Sequence, residues 1–441
     1  MEEGMIALCR EALDYATHTG AEKAECYLQL SKVTEVDIIS GVLSQMNSIY
    51  REEVLIRIIK DQRSVSSLTS SFNFDCIAKA IDECIGAVKY VEPDAYEDIS
   101  DGPLKYSYTD VDSAIDPKLL TLLAQQYLDE VHRRYPNIEI SELRLPAVAV
   151  FSVFGNTNDV QLTHAYTRYD CFVEYTSRAE TQQCSHYYDF SFSTLPLHLL
   201  DLFDQRFWYE CISRISDIRQ PDFIKKCQIL LAPSVVEDIL IDGVYTLTNS
   251  VAIMSDASIW RDRMHSCVAD KRLSIALDPY NENIVSGERI TDNGTISQPF
   301  FLIRNGILEN FYLTRKASLI SGFPMAPNTS DSIVLTGGTK TLDALISKID
   351  QGIIISRYSG GDISPTGDFN GLAKNCLFIE NGKIVSMVGD IRVYGNVLKM
   401  LNGIDSITID HNKNGYNVVP WILMNAGIYL EDHMPYSETQ S

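Results

Sequence analysis

Phe301-Leu302-Ile303-Arg304-Asn305-Gly306-Ile307-Leu308 decides the reading of the C-terminal half. An Asn-Gly pair between two apolar runs supplies the two left-handed backbone positions of a tight primed turn, so this stretch predicts a β-hairpin. The frame returns at Leu377-Phe378-Ile379-Glu380-Asn381-Gly382-Lys383-Ile384. All six Asn-Gly dipeptides of the chain lie beyond residue 290, so the hairpin signal is confined to this half. Two helical stretches, 342–350 and 397–401, interrupt it. The repeated frames are too brief for a solenoid. Residues 431–441 are polar and read as a disordered tail.

Upstream the pattern changes. Residues 5–17 predict a helix with Ile6, Leu13 and Ala16 on one face and Gly20 as its stop. Short strand-like runs follow at 24–30, 34–39 and 54–59. Asp75 then reads as the cap of a helix carrying Ile77, Ala80, Ile81, Cys84, Ile85 and Val88 at three- and four-residue steps. Residues 91–112 are acidic and tyrosine-rich, and read as a long connector. Asp116-Pro117 places an N-cap and an N1 proline before a helix at 118–134. Sheet is predicted at 146–154, 159–166, 171–175 and 185–192, then a helix near 197–215. A strand at 227–231 and a helix from about 234 to 245 follow the Gln220-Pro221 break. The fold class is therefore α+β. An N-terminal α/β layered domain spans 1–220, with a sub-boundary in the 91–115 connector. A largely antiparallel β domain with a few helices spans 221–441.

With 37 basic and 59 acidic residues the formal net charge is −22. That balance excludes a phosphate-binding surface built on clustered Lys and Arg, so nucleic acid is not expected as a partner. Met1-Glu2-Glu3-Gly4 lacks a positive n-region, and no run of 18 apolar residues occurs, so no membrane association is expected. Ten cysteines without a C-x-x-C pair fit free thiols in a reducing compartment. These features predict a soluble, cytoplasmic protein.

Helical zinc hydrolases place two histidines one turn apart with a glutamate after the first, and no His-Glu dipeptide exists here. Cys184-Ser185-His186 and His265-Ser266-Cys267 are looser pairs, each offering two donors on one strand face and no third. Gly337-Gly338-Thr339-Lys340-Thr341 has the strand–glycine–helix context of an anion nest. It lacks the glycine directly before the lysine, so Thr341 reads as a helix N-cap. No G-x-S-x-G elbow is present. The glycine-rich stretch from Gly360 and Gly361 through Asp362 to Asp368 reads either as a connection or as a loop meeting the backbone of a bound peptide.

The segments around Asn305-Gly306, residues 361–369, Ile379-Glu380-Asn381-Gly382-Lys383-Ile384 and Gly395-Asn396-Val397-Leu398 resemble the TldD/PmbA family in order and spacing. Asp278-Pro279 and Asp292-Asn293-Gly294 fit its upstream acidic stretch; Ala21-Glu22-Lys23-Ala24-Glu25 is a weaker likeness. The resemblance implies a metallopeptidase-related protein, historically labelled a modulator of DNA gyrase, that forms dimers and admits unfolded peptide. TldD-type chains of the family carry H-E-x-x-x-H and a late cysteine as zinc ligands; PmbA (TldE) chains do not. At the corresponding helix this chain reads Ile241-Asp242-Gly243-Val244-Tyr245-Thr246, leaving Ile241, Asp242 and Thr246 at the motif positions. At the late cysteine it reads Ile409-Asp410-His411-Asn412. The likeness is thus to the PmbA side: no cofactor in this chain, zinc expected only in a TldD-type partner, and a TldD-like subunit or a second copy as dimer partner. One alternative is a self-sufficient metallopeptidase with an atypical site from His265, Cys267 and His411. Another is a homodimeric peptide-binding scaffold.

Overall fold

A computed structural model describes residues 2–111, 115–178, 183–201, 203–214, 218–219 and 227–431. It begins with α1 (Glu2–His18), β1 (Lys23–Ile39), β2 (Val42–Lys60), β3 (Arg63–Thr69) and α2 (Phe74–Ala87). Then come β4 (Leu104–Asp110), α3 (Pro117–Arg134), β5 (Ile138–Asn156), β6 (Val160–Arg178) and β7 (Gln183–Phe192). The seven strands form one sheet in the order β3-β2-β1-β5-β6-β4, with β7 also paired to β6.

The strand lengths correct the sequence reading. Residues 24–30 and 34–39 are one strand, and 146–154 lies inside the longer β5. A strand of 17 residues reaches on the order of 55 Å. A 17-residue helix reaches only about 25 Å, so one helix cannot cover such a sheet. Two covers do. Met5, Cys9, Ala12 and Ala16 of α1, with Ile77 and Ile81 of α2, pack over Cys26, Leu28, Val54 and Ile56. Leu120, Leu123, Ala124 and Val131 of α3 pack over Val36, Ile38, Leu143 and Leu145. The polar residues Ser31 and Lys32 lie between the two cores and interrupt the hydrophobic alternation. Ile77 and Ile81 are fully buried, each worth about 1.5–3 kcal/mol.

Two local readings also change. The cap of α2 is Asn73, whose Oδ1 accepts from the Asp75 N–H at 2.8 Å, so Asp75 sits in the first turn. The 91–112 connector holds β4, which pairs in parallel with β6 from Leu104↔Val160 to Asp110↔Tyr166. The α3 cap is as expected: Asp116 Oδ1 accepts from the Lys118 N–H at 2.9 Å.

The remaining chain supplies β8 (Ile218–Arg219), β9 (Gln228–Leu231), β10 (Ile275–Leu277), β11 (Phe300–Arg304), β12 (Ile307–Leu308) and β13 (Ile333–Leu335). It continues with β14 (Gln351–Ile355), β15 (Arg357–Gly360), β16 (Asp368–Lys374), β17 (Cys376–Glu380) and β18 (Lys383–Val388). Last are β19 (Ile391–Asn396), β20 (Ile404–Lys413), β21 (Val418–Met424) and β22 (Ile428–Glu431). An eleven-stranded sheet runs β12-β11-β10-β13-β21-β9-β14-β17-β18-β8, with β20 on β21; a four-stranded sheet runs β15-β16-β19-β22. Pairing is largely antiparallel, with β13/β21, β14/β9 and β18/β8 parallel. The chain is thus α+β, as its patterning implied.

Both quoted hairpins form. Asn305 and Gly306 take φ of 48° and 77°, and Asn381 and Gly382 take 50° and 73°, as a primed turn demands. Other Asn-Gly pairs serve differently: Asn370-Gly371 lies inside β16, and Gly403 caps the helix Val397–Asn402. The helix expected at 342–350 is the shorter Leu342–Ile346, and the one near 197–215 is a 3₁₀ turn, Leu199–Asp201, followed by Phe203–Arg214. Glu431 closes β22, while the Gln220-Pro221 break and the tail from 432 onward lie outside the described residues. Among the described residues no helix is long and apolar enough to cross a membrane.

Candidate functional site

The segment expected to be a helix at 234–245 runs as Pro233–Val235, a π-helical stretch Val236–Ile241, and Asp242–Thr248. The Asp242 N–H donates to the Glu237 carbonyl, five residues back, which makes this turn one residue wide of α. Apolar residues take the inner face: Ile239, Leu240, Ile241, Val244 and Leu247 are all buried in the main C-terminal core. Asp238, Asp242, Tyr245 and Thr246 line a surface cleft of about 500 Å³.

The opposite wall is β15 and the loop after it, from Arg357 through Asp362. β15 is the edge of its sheet, pairing only with β16, so its outer row of N–H and C=O groups has no strand partner among the described residues. Gly360 is needed there: a β-carbon on it would meet Tyr358 Oη at 1.9 Å. Tyr358 in turn donates to the Asn370 carbonyl at 2.9 Å and holds an edge-on contact with Phe369. Gly361 has open space around it.

Charge in the cleft is mostly acidic. Burial raises the Asp238 carboxyl to about 6; Asp242 adds to the rise and Arg357 opposes it. Burial also raises Asp242. Arg357 stacks its guanidinium over the Tyr187 ring at 4.5 Å.

The structure therefore brings Asp242, Thr246, Gly360, Gly361 and Asp362 to one cleft, although they stand more than a hundred residues apart in sequence. Ile241 points away into the core. Asp368 is also elsewhere: its carboxylate accepts from Thr366 Oγ1 at 2.7 Å and Asn396 Nδ2 at 2.8 Å, so it staples the turn, and these hydrogen bonds lower its pKa. Asp238, Tyr245, Tyr187 and Arg357 were not singled out from the sequence. The one local signal was the i, i+4 spacing of Asp238 and Asp242.

The helix positions do not fit zinc. A structural or catalytic zinc takes three or four donors, usually His, Cys or carboxylate. Here Ile241 is buried hydrocarbon, and the helix offers the cleft two aspartates, Asp238 and Asp242, and the Thr246 hydroxyl, while the third aspartate, Asp362, stands on the β15 side. Among the described residues no three His, Cys, Asp or Glu side chains group as metal ligands. His265 and Cys267 are exposed, His265 in a turn with φ of 62° and Cys267 in a bridge to Ile307. His411 lies half-buried against Gly337 instead, so these three do not assemble. The Cys184 and Ser185 side chains are outside the described residues; His186 is buried. Thr341 is the N-cap expected, accepting from the Ala344 N–H at 3.2 Å, while Lys340 Nζ donates to Ser406 Oγ at 2.9 Å.

Residues 224–427, which carry this helix and β15, match the family model described as PmbA/TldA metallopeptidase C-terminal domain. This part of the chain carries a TldD/PmbA-family C-terminal domain. A metalloprotease PmbA homolog of Haemophilus influenzae is 20% identical over 430 residues, 91% of each chain. A metalloprotease TldD homolog of Buchnera aphidicola is 28% identical over 168 residues, 35% of this chain and only 34% of its own length. The crystal structure of TldE from Thermococcus kodakarensis superposes with a TM-score of 0.83 at 15% identity, covering 96% of this chain and 99% of that one. At that identity the likeness speaks for the fold. The matched C-terminal region is metallopeptidase-related and places the Asp242–Thr248 helix beside the β15 edge.

Proposed function

We propose that the chain is a PmbA/TldE-like, non-catalytic subunit of a TldD/PmbA-type metallopeptidase complex acting on unfolded peptide segments. The supporting observation is the cleft itself. Its helix turns Ile241 inward and presents no zinc-ligand set, yet its other wall is an unpaired strand edge. An extended peptide adds to such an edge through main-chain hydrogen bonds, so it is held without being recognised by sequence. Zinc and water activation belong to a TldD-like partner; this chain contributes main-chain binding beside that site, with no cofactor of its own.

Pull-down from the native cell and peptidase assays test this. A TldD-type chain with an intact zinc motif is expected to co-purify. The isolated chain is expected to bind an unfolded peptide and not cleave it. Metal-dependent cleavage by the isolated chain would overturn the reading. Recovery of a homodimer alone, binding peptide with no peptidase partner, would replace it with a scaffold role.

A further inference from the structure

A narrower pocket of about 220 Å³ adjoins the cleft and shares Tyr187, Asp238 and Arg357 with it. Four of the eleven buried, unpartnered side-chain polar atoms among the described residues belong to side chains around this one pocket: His186 Nε2, Glu237 Oε1, Ser356 Oγ and Trp421 Nε1. His186 is 8% exposed and Trp421 1%, so neither reaches solvent to satisfy its nitrogen. Buried polar groups are nearly always paired, and a cluster of exceptions gathered around one space marks a place where a ligand supplies the missing partners.

The unpaired atoms state what that ligand carries. The Trp421 indole N–H is a donor only and needs an acceptor; Ser356 can donate to the same acceptor. Glu237 Oε1 needs a donor; its Oε2 is already held by Asn417 Nδ2 at 3.1 Å. Asp189, Glu237 and Asp238 face the pocket against the single cation Arg357, whose charge lies over Tyr187. Tyr175, Tyr188 and Trp208 complete the walls, and aromatic faces favour a cation. A free carboxylate would meet three acidic side chains, so the acceptor is neutral.

We propose that this pocket binds a primary ammonium joined to a neutral carbonyl, the chemistry shared by a peptide amino terminus and an amino-acid amide. The ammonium donates to Glu237 and Asp238, and the carbonyl accepts from Trp421 Nε1 and Ser356 Oγ. This deepens the peptide-binding reading and rests on it only for the source of the ligand.

Isothermal titration of the full chain with alanine amide, trialanine amide and the N-acetylated form of each tests the proposal. Both free amines are expected to bind one to one, with acetylation weakening each by about tenfold or more. Tighter binding of trialanine amide identifies a peptide terminus as the source; equal affinities identify the single-residue amide. Glu237→Gln is expected to weaken the amines about tenfold. Asp238→Asn, at an exposed position, gives the same readout should the first variant misfold. Equal binding of amine and acetylated forms, or saturation by neither, overturns the proposal. An N-terminally acetylated, longer unfolded peptide reports separately on the β15 edge, so a failed pocket and a failed cleft are distinguishable.

Discussion

Gly243 lies so close to Val397 that a β-carbon on it would stand 2.6 Å from Val397 Cγ2. That approach docks the Asp242–Thr248 helix against the start of the Val397–Asn402 helix, and so sets where Asp242 and Thr246 face the cleft. Gly243→Ala brings two opposed effects. Helix propensity favours alanine by about 1 kcal/mol, while overpacking a rigid β-branched neighbour costs about 1–3 kcal/mol. Overpacking wins, and a net loss of about 1 kcal/mol is expected in urea unfolding. Val397→Ala in the same background should relieve the contact, so the two changes should couple favourably in a double-mutant cycle. Strict additivity would show that the contact is not what positions the helix.

Gly361 is the opposite case, since its missing side chain faces open space in the cleft and its backbone is outside the left-handed region. Gly361→Val should leave stability within about 0.5 kcal/mol. It places two methyl groups beside the β15 edge. Fluorescence anisotropy with an N-acetylated unfolded peptide is expected to show binding weakened by about tenfold or more. Unchanged affinity removes the β15 edge as the peptide's seat.

What the sequence disclosed, and what it hid, follows the range of the signals. Asn305-Gly306, Asn381-Gly382, Asp116 and Thr341 were legible because a turn or cap is decided by two to four adjacent residues. The continuity of β1 was hidden because Ser31 and Lys32 fall between two separate cores, and no local pattern reports which helix covers which half. β4 was hidden because an edge strand with one side chain in two exposed reads as polar loop. The cleft was half legible: Gly361 drew notice through its glycine-rich loop, and Asp242 through the resemblance to the family's motif helix. Their meeting depends on β15 standing at the edge of one sheet beside a helix that packs on another, and that is a fact of topology. Asp368 was drawn in by proximity in sequence, and its hydrogen bonds to Thr366 and Asn396 account for it structurally.

Arg57 shows why the acidic 91–103 stretch is ordered. Its Nη1 donates to Glu25 Oε2 at 2.7 Å and to the Asp98 carbonyl at 3.2 Å, its Nε donates to Ser64 Oγ at 3.0 Å, and it pairs with Glu97. Burial raises the Glu25 pKa while Arg57 pulls it back, so Glu25 depends on this partner. Breaking a fully buried pair costs about 3–5 kcal/mol; with Arg57 27% exposed, Arg57→Met should cost about 2–3 kcal/mol. Adding Glu25→Gln removes the stranded charge and should recover much of that loss. A single variant as stable as the parent would show that the network is worth little.

Glu237 gives a pH signature whose sign can be worked out. Burial raises its carboxyl from the ordinary 4.5 to about 7, Asn417 opposes the rise, and Asp238, Asp189 and Asp242 add to it. The folded state therefore holds this proton more tightly than the unfolded chain. Its stabilising contribution is complete below about pH 4.5 and is lost as pH rises through about 7. The full swing is on the order of 3 kcal/mol. His164 and His186 titrate the other way, because burial lowers both to about 4 and stability falls as acid protonates them in the unfolded chain. Their opposing slope is common to parent and variant, so a comparison isolates Glu237. Glu237→Gln carries no titrating group, and its stability relative to the parent should improve steadily between about pH 5 and pH 8. A difference that stays flat across that range would mean Glu237 is ionised in the folded protein throughout, and that water reaches it as freely as in the unfolded chain.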